Sequence, residues 1–221
     1  MRKVKLSVII PVYNEAAIIT DTVKEIARFL DKLSLGSYEL IIIDDHSSDN
    51  TLEIINEFTD PRITCIRLSR NSGSHIALRA GLIKSSGDVV LCMSADGQDN
   101  PAAVKDMLDC WQSGKKIVWA LRKSRSNESW FIRIGAKIFY SFLLRLIDIK
   151  DIQVYLSMAD FYLLDRKVVD AINACPERNT SLFGLITWLG FSQGSVEYLR
   201  RARRHGNSKW SLRNRIRLAK D

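Results

Sequence analysis

The chain has 221 residues, 46% of them hydrophobic and 26% charged. That suits one large globular domain with a sizeable core and excludes a disordered or low-complexity chain. The net charge of +8 is concentrated: residues 200–221 hold nine Lys/Arg against the single acid Asp221, while residues 1–199 balance 24 basic against 24 acidic side chains. A basic end of this kind points to phosphate, anionic lipid or nucleic acid as its partner.

Along the chain, VKLSVII (4–10) is rich in β-branched residues and ends at Pro11, which predicts a buried strand. A helical pattern follows from about residue 15 to residue 33. Next come a strand (38–43), a helix opening near Ser48-Asp49 and a strand (62–68). A helix is expected over 74–85, with Gly87 closing the turn into a strand at 88–93. Pro101 is expected to start another helix, in keeping with proline's place in a first turn. KKIVWAL (115–121) reads as a further strand. Beyond residue 122 a strongly apolar helix is expected over 129–147, on which Arg133, Lys137, Ser141 and Arg145 would recur at i, i+4. A strand (160–164), a helix (166–174), an apolar segment (181–191) and a strand (194–200) precede the basic tail.

The four cysteines (Cys65, Cys92, Cys110 and Cys175) show neither metal-ligand spacing nor a pairing pattern and, with Cys65 and Cys92 inside apolar runs, read as buried free thiols of a reducing compartment. His46, His75 and His205 have no paired spacing. Asp49 reads as a helix N-cap, Asp165 and Asp170 as surface or capping residues. No signal peptide is visible, and no stretch reaches the eighteen or so uncharged apolar residues of a membrane span.

Strands alternating with helices imply an α/β fold, a Rossmann-like, mostly parallel sheet with helices on both faces. Ligands of such sheets bind outside the carboxyl ends of the strands. Asn14-Glu15, Asp44-Asp45, Asn71 and Asp96 all fall just past strand ends, so they should converge on one edge. The chain has no G-x-G-x-x-G after its first strand, no P-loop and no nucleophile elbow, which argues against dinucleotide, P-loop and serine-hydrolase chemistry. An acid cluster facing phosphates calls for a divalent cation, and Mg2+ or Mn2+ suits its oxygen donors.

VIIPVYNE (8–15), IIIDDHSSDNT (41–51), SRNSGSHIALRAG (69–81) and SADGQDNP (94–101) resemble family 2 glycosyltransferases of the GT-A fold. ALRKSRSNESWFIRIGAKIFY (120–140), ADFYLLDRKVVDAI (159–172), PERN (176–179) and RRHGNSKWS (203–211) look like the polyprenyl-phosphate glycosyltransferases, which include the dolichol-phosphate mannose synthases. The resemblance spans essentially the whole chain. It implies an inverting, metal-dependent transfer from a UDP- or GDP-linked sugar to undecaprenyl or dolichyl phosphate. By the same resemblance Pro11, Tyr13 and Glu15 contact the nucleotide, Asp44 or Asp45 meets the base or ribose, and Asn71 and Gln98 belong to the donor site. Asp96, the second acid of a D-x-D motif, would hold the metal. Arg122 and Arg133 would face the sugar diphosphate and acceptor phosphate, Asp160 would lie near the acceptor, and Arg203 and Lys209 would close over the phosphates.

The resemblance also implies a division into a nucleotide-binding half (1–121), an acceptor half (122–199) and a basic loop with a juxtamembrane-type helix (200–221). In the resembled family that helix leads into membrane-spanning segments. The expected location is the cytoplasmic face of an anionic membrane, with the present stretch itself soluble or peripheral, and a homo-oligomer is left open. One departure stands out. Ser94 replaces the first Asp of D-x-D, so one carboxylate is missing and weakened metal binding is expected. Three alternatives remain open: a soluble family 2 transferase that extends a glycan, a catalytically impaired member, and a nucleic-acid binder using the tail. Against the last, no standard recognition signature is present.

Overall fold

The computed structural model describes residues 3–122, 161–177 and 181–199. The strands are β1 (Lys5–Val12), β2 (Ser37–Asp44), β3 (Ile63–Arg67), β4 (Val89–Cys92), β5 (Ile117–Arg122), β6 (Tyr162–Asp165) and β7 (Gln193–Tyr198). The helices are α1 (Ile19–Leu30), α2 (Thr51–Asn56), α3 (Ser74–Lys84), α4 (Ala103–Gln112), α5 (Arg166–Ala174) and α6 (Leu182–Trp188). The strands form one sheet in the order β3-β2-β1-β4-β6-β5-β7. All run the same way except β6, which is antiparallel to both β4 and β5. The α/β, mostly parallel arrangement expected from the sequence is therefore present, with one reversed strand that the sequence did not reveal.

Two apolar layers flank the sheet because successive strand residues point to opposite faces. Leu6, Val8, Ile10 and Val12 of β1 pack with Leu40 and Ile42 of β2 against α1 (Ile19, Val23, Ile26, Leu30) and α4 (Val104, Met107). Ile9, Ile41 and Ile43 face the other way, against α3 (Ala77, Leu78, Leu82), α5 (Val168, Val169, Ile172) and α6 (Leu182, Leu185, Ile186). Each such side chain fully withdrawn from water contributes about 1.5–3 kcal/mol. At Gly81 the backbone of α3 lies so close to β1 that a Cβ would collide with the Ile9 side chain, which explains a glycine inside a helix.

Several boundaries differ from expectation. β1 runs on through Pro11 to Val12; Pro11 lies beyond the last residue paired with β4 and is registered only with Ile43 of β2, so its missing N–H interrupts no central ladder. α4 begins at Ala103, not Pro101, because the Asn100 carbonyl and side chain hold a turn through the N–H groups of Ala103 and Ala102. The expected helix at 129–147, with Arg133, and the expected tail helix lie outside the described residues.

Candidate active site

Because β1 to β4 are mutually parallel, their C-terminal ends share one edge, and β5 and β7 end there too. The loops that follow these strands are tied to one another. The Asn14 N–H donates to Ser47 Oγ (2.9 Å), the Ser48 N–H to Asn14 Oδ1 (2.8 Å), the Glu15 N–H to Thr51 Oγ1 (2.8 Å) and the Ala16 N–H to Asp49 Oδ2 (3.3 Å). Asp49 Oδ1 also accepts from the Thr51 N–H at 3.0 Å. The N-cap position of α2 is Asn50, so Asp49 acts one residue earlier than expected and joins two loops rather than merely capping one helix. Asn14 (φ 55°) and His46 (φ 61°) are left-handed non-glycine residues, a conformation Asn accepts more readily than His. Tyr13 is 39% exposed in the first loop, beside half-buried Pro11 and Glu15.

The two acids at the end of β2 have different surroundings. Asp45 is consumed by the scaffold: its Oδ1 accepts from the Ser72 N–H (2.7 Å) and its Oδ2 from the Gly73 N–H (2.8 Å). It thereby fixes the segment carrying exposed Asn71 and the start of α3. Asp44 is fully buried. Its Oδ1 accepts from the Ser47 N–H (3.0 Å), whereas its Oδ2 has no hydrogen-bond partner among the described residues and lies 3.6 Å from Arg67 Nε, an ion-pair neighbour.

At the end of β4 the segment 94–99 turns through Gly97 (φ 70°). Asp96 Oδ1 accepts from Ser94 Oγ (2.5 Å) and from the Gln98 N–H (3.1 Å). Asp99, 3% exposed, accepts from the Ser94 N–H on Oδ2 (2.8 Å) and from the Tyr198 hydroxyl on Oδ1 (3.0 Å). Burial, assisted by the nearby charge of Asp96, pushes the Asp99 carboxyl upward against the pull of those two bonds. Burial and the Asp99 charge likewise raise the Tyr198 phenol, opposed by the Arg122 guanidinium hydrogen-bonded to it. Arg122 and Tyr198 are register partners at the ends of β5 and β7. The Thr22 hydroxyl of α1 holds the loop from its other side through the Ala95 carbonyl (3.0 Å).

The edge thus gathers Asn14, Glu15, Asp44, Asp45, Asn71 and Asp96, as the strand-end reading required, and carries Pro11, Tyr13, Gln98 and Arg122 with them. Asp160, Arg133, Arg203 and Lys209 lie outside the described residues. Sequence reasoning did not give Tyr198, Asp99 or the Ser94 hydroxyl their parts in the loop. Nothing in VEYLRR marks a phenol that reaches across the sheet. Among the described residues no three His, Cys, Asp or Glu side chains form a metal cluster. A single oriented carboxylate still fits Mg2+ or Mn2+, since such ions are commonly held by one or two carboxylates together with substrate phosphates.

Comparison with known proteins agrees with this geometry. The model of Glycosyl transferase family 2 matches residues 7–172. The uncharacterized glycosyltransferase YkcC of Bacillus subtilis (strain 168) is 35% identical over 100% of this chain and 68% of its own length. A prophage bactoprenol glucosyl transferase homolog of Escherichia coli (strain K12) is 33% identical over 95% of this chain and 69% of its own length. Among the curated relatives it matches, this chain spans 65% to 69% of their length. The mannosyltransferase PcManGT of Pyrobaculum calidifontis, solved with GDP-Man and Mn2+, superposes with a TM-score of 0.63 at 16% identity, over 94% of this chain and 59% of that one. Glucosyl-3-phosphoglycerate synthase of Mycobacterium tuberculosis, solved with Mn2+, UDP-Glc and phosphoglyceric acid, gives 0.63 at 19% identity, over 92% and 73%. The fold is the GT-A fold, and the chain belongs to glycosyl transferase family 2.

Proposed function

We propose that this chain transfers a sugar from a nucleotide-diphosphate sugar to the phosphate of a polyprenyl phosphate, with inversion at the anomeric carbon. The observation that carries the donor half is Asp44: a fully buried carboxylate at the strand edge whose Oδ2 has no hydrogen-bond partner among the described residues. Such an atom is costly unless a ligand donor fills it, and a nucleobase N–H or ribose hydroxyl supplies one. Of the two acids that end β2, Asp44 is therefore the nucleotide reader, and Asp45 shapes the loop that bears Asn71. Tyr13, exposed just past the end of β1, offers an aromatic face at the same edge. The lipid acceptor is supported by relatives named as bactoprenol glucosyl transferases.

The chemistry asks little of a general base, because a phosphate acceptor is already ionised at neutral pH. Its oxygen attacks the anomeric carbon while the bond to the diphosphate breaks and the nucleoside diphosphate departs with the electron pair. The barrier lies in bringing two anions together and stabilising the leaving charge, a task for preorganised cations. Arg122 stands at the edge for the donor phosphates; Arg133, Arg203 and Lys209 are assigned to the acceptor phosphate, and Asp160 to its vicinity. Asp96 would hold Mg2+ or Mn2+, which when bound supplies Lewis-acid neutralisation of the diphosphate. Calorimetric titration of UDP and GDP, with and without Mn2+, tests the reading. One of the two should bind, more tightly with Mn2+, and Asp96→Asn should remove the Mn2+ effect. Binding of neither nucleotide would end it.

A further inference from the structure

We infer that Ser94 is a positioning residue for Asp96: its hydroxyl takes the place of a carboxylate in the D-x-D position and orients the carboxylate that remains. The inference rests on the donor site proposed above and concerns what this chain does differently from the motif it resembles. Ser94 Oγ donates to Asp96 Oδ1 at 2.5 Å, and the Gln98 N–H donates to the same oxygen at 3.1 Å. Two donors on one oxygen fix the rotation of the carboxylate, so its direction is set before any ligand arrives.

The hydroxyl can do this because the main chain beneath it is clamped. The Ser94 N–H is held by buried Asp99 at 2.8 Å, and Asp99 is held from the opposite side by the Tyr198 hydroxyl at 3.0 Å. Tyr198 is itself 5% exposed and packed edge-on against Phe161, with ring centroids 5.4 Å apart. A chain of hydrogen bonds therefore runs from β7 through Asp99 and Ser94 to Asp96. An aspartate at position 94 could not donate to Asp96 and would add a third carboxylate beside Asp96 and buried Asp99. A neutral hydroxyl donor avoids that repulsion. Ligands of metals held by such outer hydrogen bonds lose roughly 10- to 100-fold in metal affinity when the bond is removed.

The test uses the 221-residue chain and follows free Mn2+ by its electron paramagnetic resonance signal, alone and with UDP or GDP. Ser94→Ala should weaken nucleotide-dependent Mn2+ uptake by about 10-fold or more without lowering the melting temperature, and Ser94→Thr, which keeps the hydroxyl, should restore it. Should Ala lower the melting temperature, Ser94→Cys repeats the measurement with a near-isosteric but weak donor, and is expected to lose affinity as Ala does. Wild-type affinity in the Ala variant, or in the Cys variant where Ala is unstable, would overturn the assignment while leaving the donor site standing. If the wild-type chain takes up no Mn2+ with either nucleotide, the donor-site reading fails, and the role of Ser94 falls with it.

Discussion

Asp44 and Asp45 are adjacent in sequence and chemically identical, and the sequence could not say which of them reads the nucleotide. The distinction arises from side-chain direction at the end of β2. Asp45 reaches the N–H groups of Ser72 and Gly73, while Asp44 stays inside with one oxygen that no hydrogen-bond donor among the described residues reaches. Replacing Asp44 by Asn would turn an acceptor toward a ligand donor into an amide N–H. Loss of a hydrogen bond to a charged group costs about 1.5–3 kcal/mol, on the order of 10- to 100-fold in Kd for the nucleotide. Asp45→Asn should instead lower the melting temperature with a smaller change in Kd. Calorimetry on both variants checks this, and equal nucleotide affinities for Asp44→Asn and wild type would remove Asp44 from the site. Asp96 was legible because its loop follows a strongly apolar strand. Asp99 was legible only as a neighbour, because its role depends on Tyr198, 99 residues away in sequence.

Secondary-structure elements were legible wherever period and punctuation agreed. α5 follows its expected span of 166–174, since Asp165 caps it through the Lys167 N–H at 3.0 Å. The antiparallel direction of β6 was not legible, because composition marks a strand without marking its orientation. Its pairings with Val89–Cys92 on one side and with Ile117, Val118 and Trp119 on the other establish it. Asp165 is more than a cap: it also accepts from Trp111 Nε1 of α4 (2.7 Å) and Lys116 Nζ (2.9 Å), joining three elements at the rim of the sheet. Burial pushes its carboxyl upward, but the bonds from Lys116, Trp111 and the Lys167 N–H outweigh burial and hold it below the usual carboxylate value. A carboxyl depressed in the folded state contributes stability above its unfolded pKa of about 3.9 and loses it as pH falls through the folded value. Asp165→Asn should therefore cost about 1–3 kcal/mol at pH 7, and the gap to wild type should narrow below about pH 4. Urea titrations at several pH values measure it; a gap that stays constant into acid would show that the charge of Asp165 is irrelevant.

At the scale of the molecule, the division between a neutral body and a basic end remains the clearest statement of the sequence, with nine Lys/Arg in residues 200–221. No helix among the described residues is long and apolar enough to cross a membrane. The basic tail is proposed to hold the domain on an anionic bilayer, where each Lys or Arg contributes on the order of 1 kcal/mol within a Debye length. Neutralising Arg213, Arg215 and Arg217 together should abolish flotation with anionic liposomes at low salt while nucleotide binding persists. Flotation of the triple variant would remove this basic segment from the membrane role. The central claim is the transfer itself. Its most direct measurement offers UDP- and GDP-linked sugars with Mn2+ to the chain, with undecaprenyl phosphate in liposomes or free sugars as acceptors. The expected result is a lipid-linked sugar phosphate formed with one donor, lost in Asp96→Asn and absent with free sugars. Product formed on free sugars and none on lipid phosphate, or no product with any donor, would contradict it.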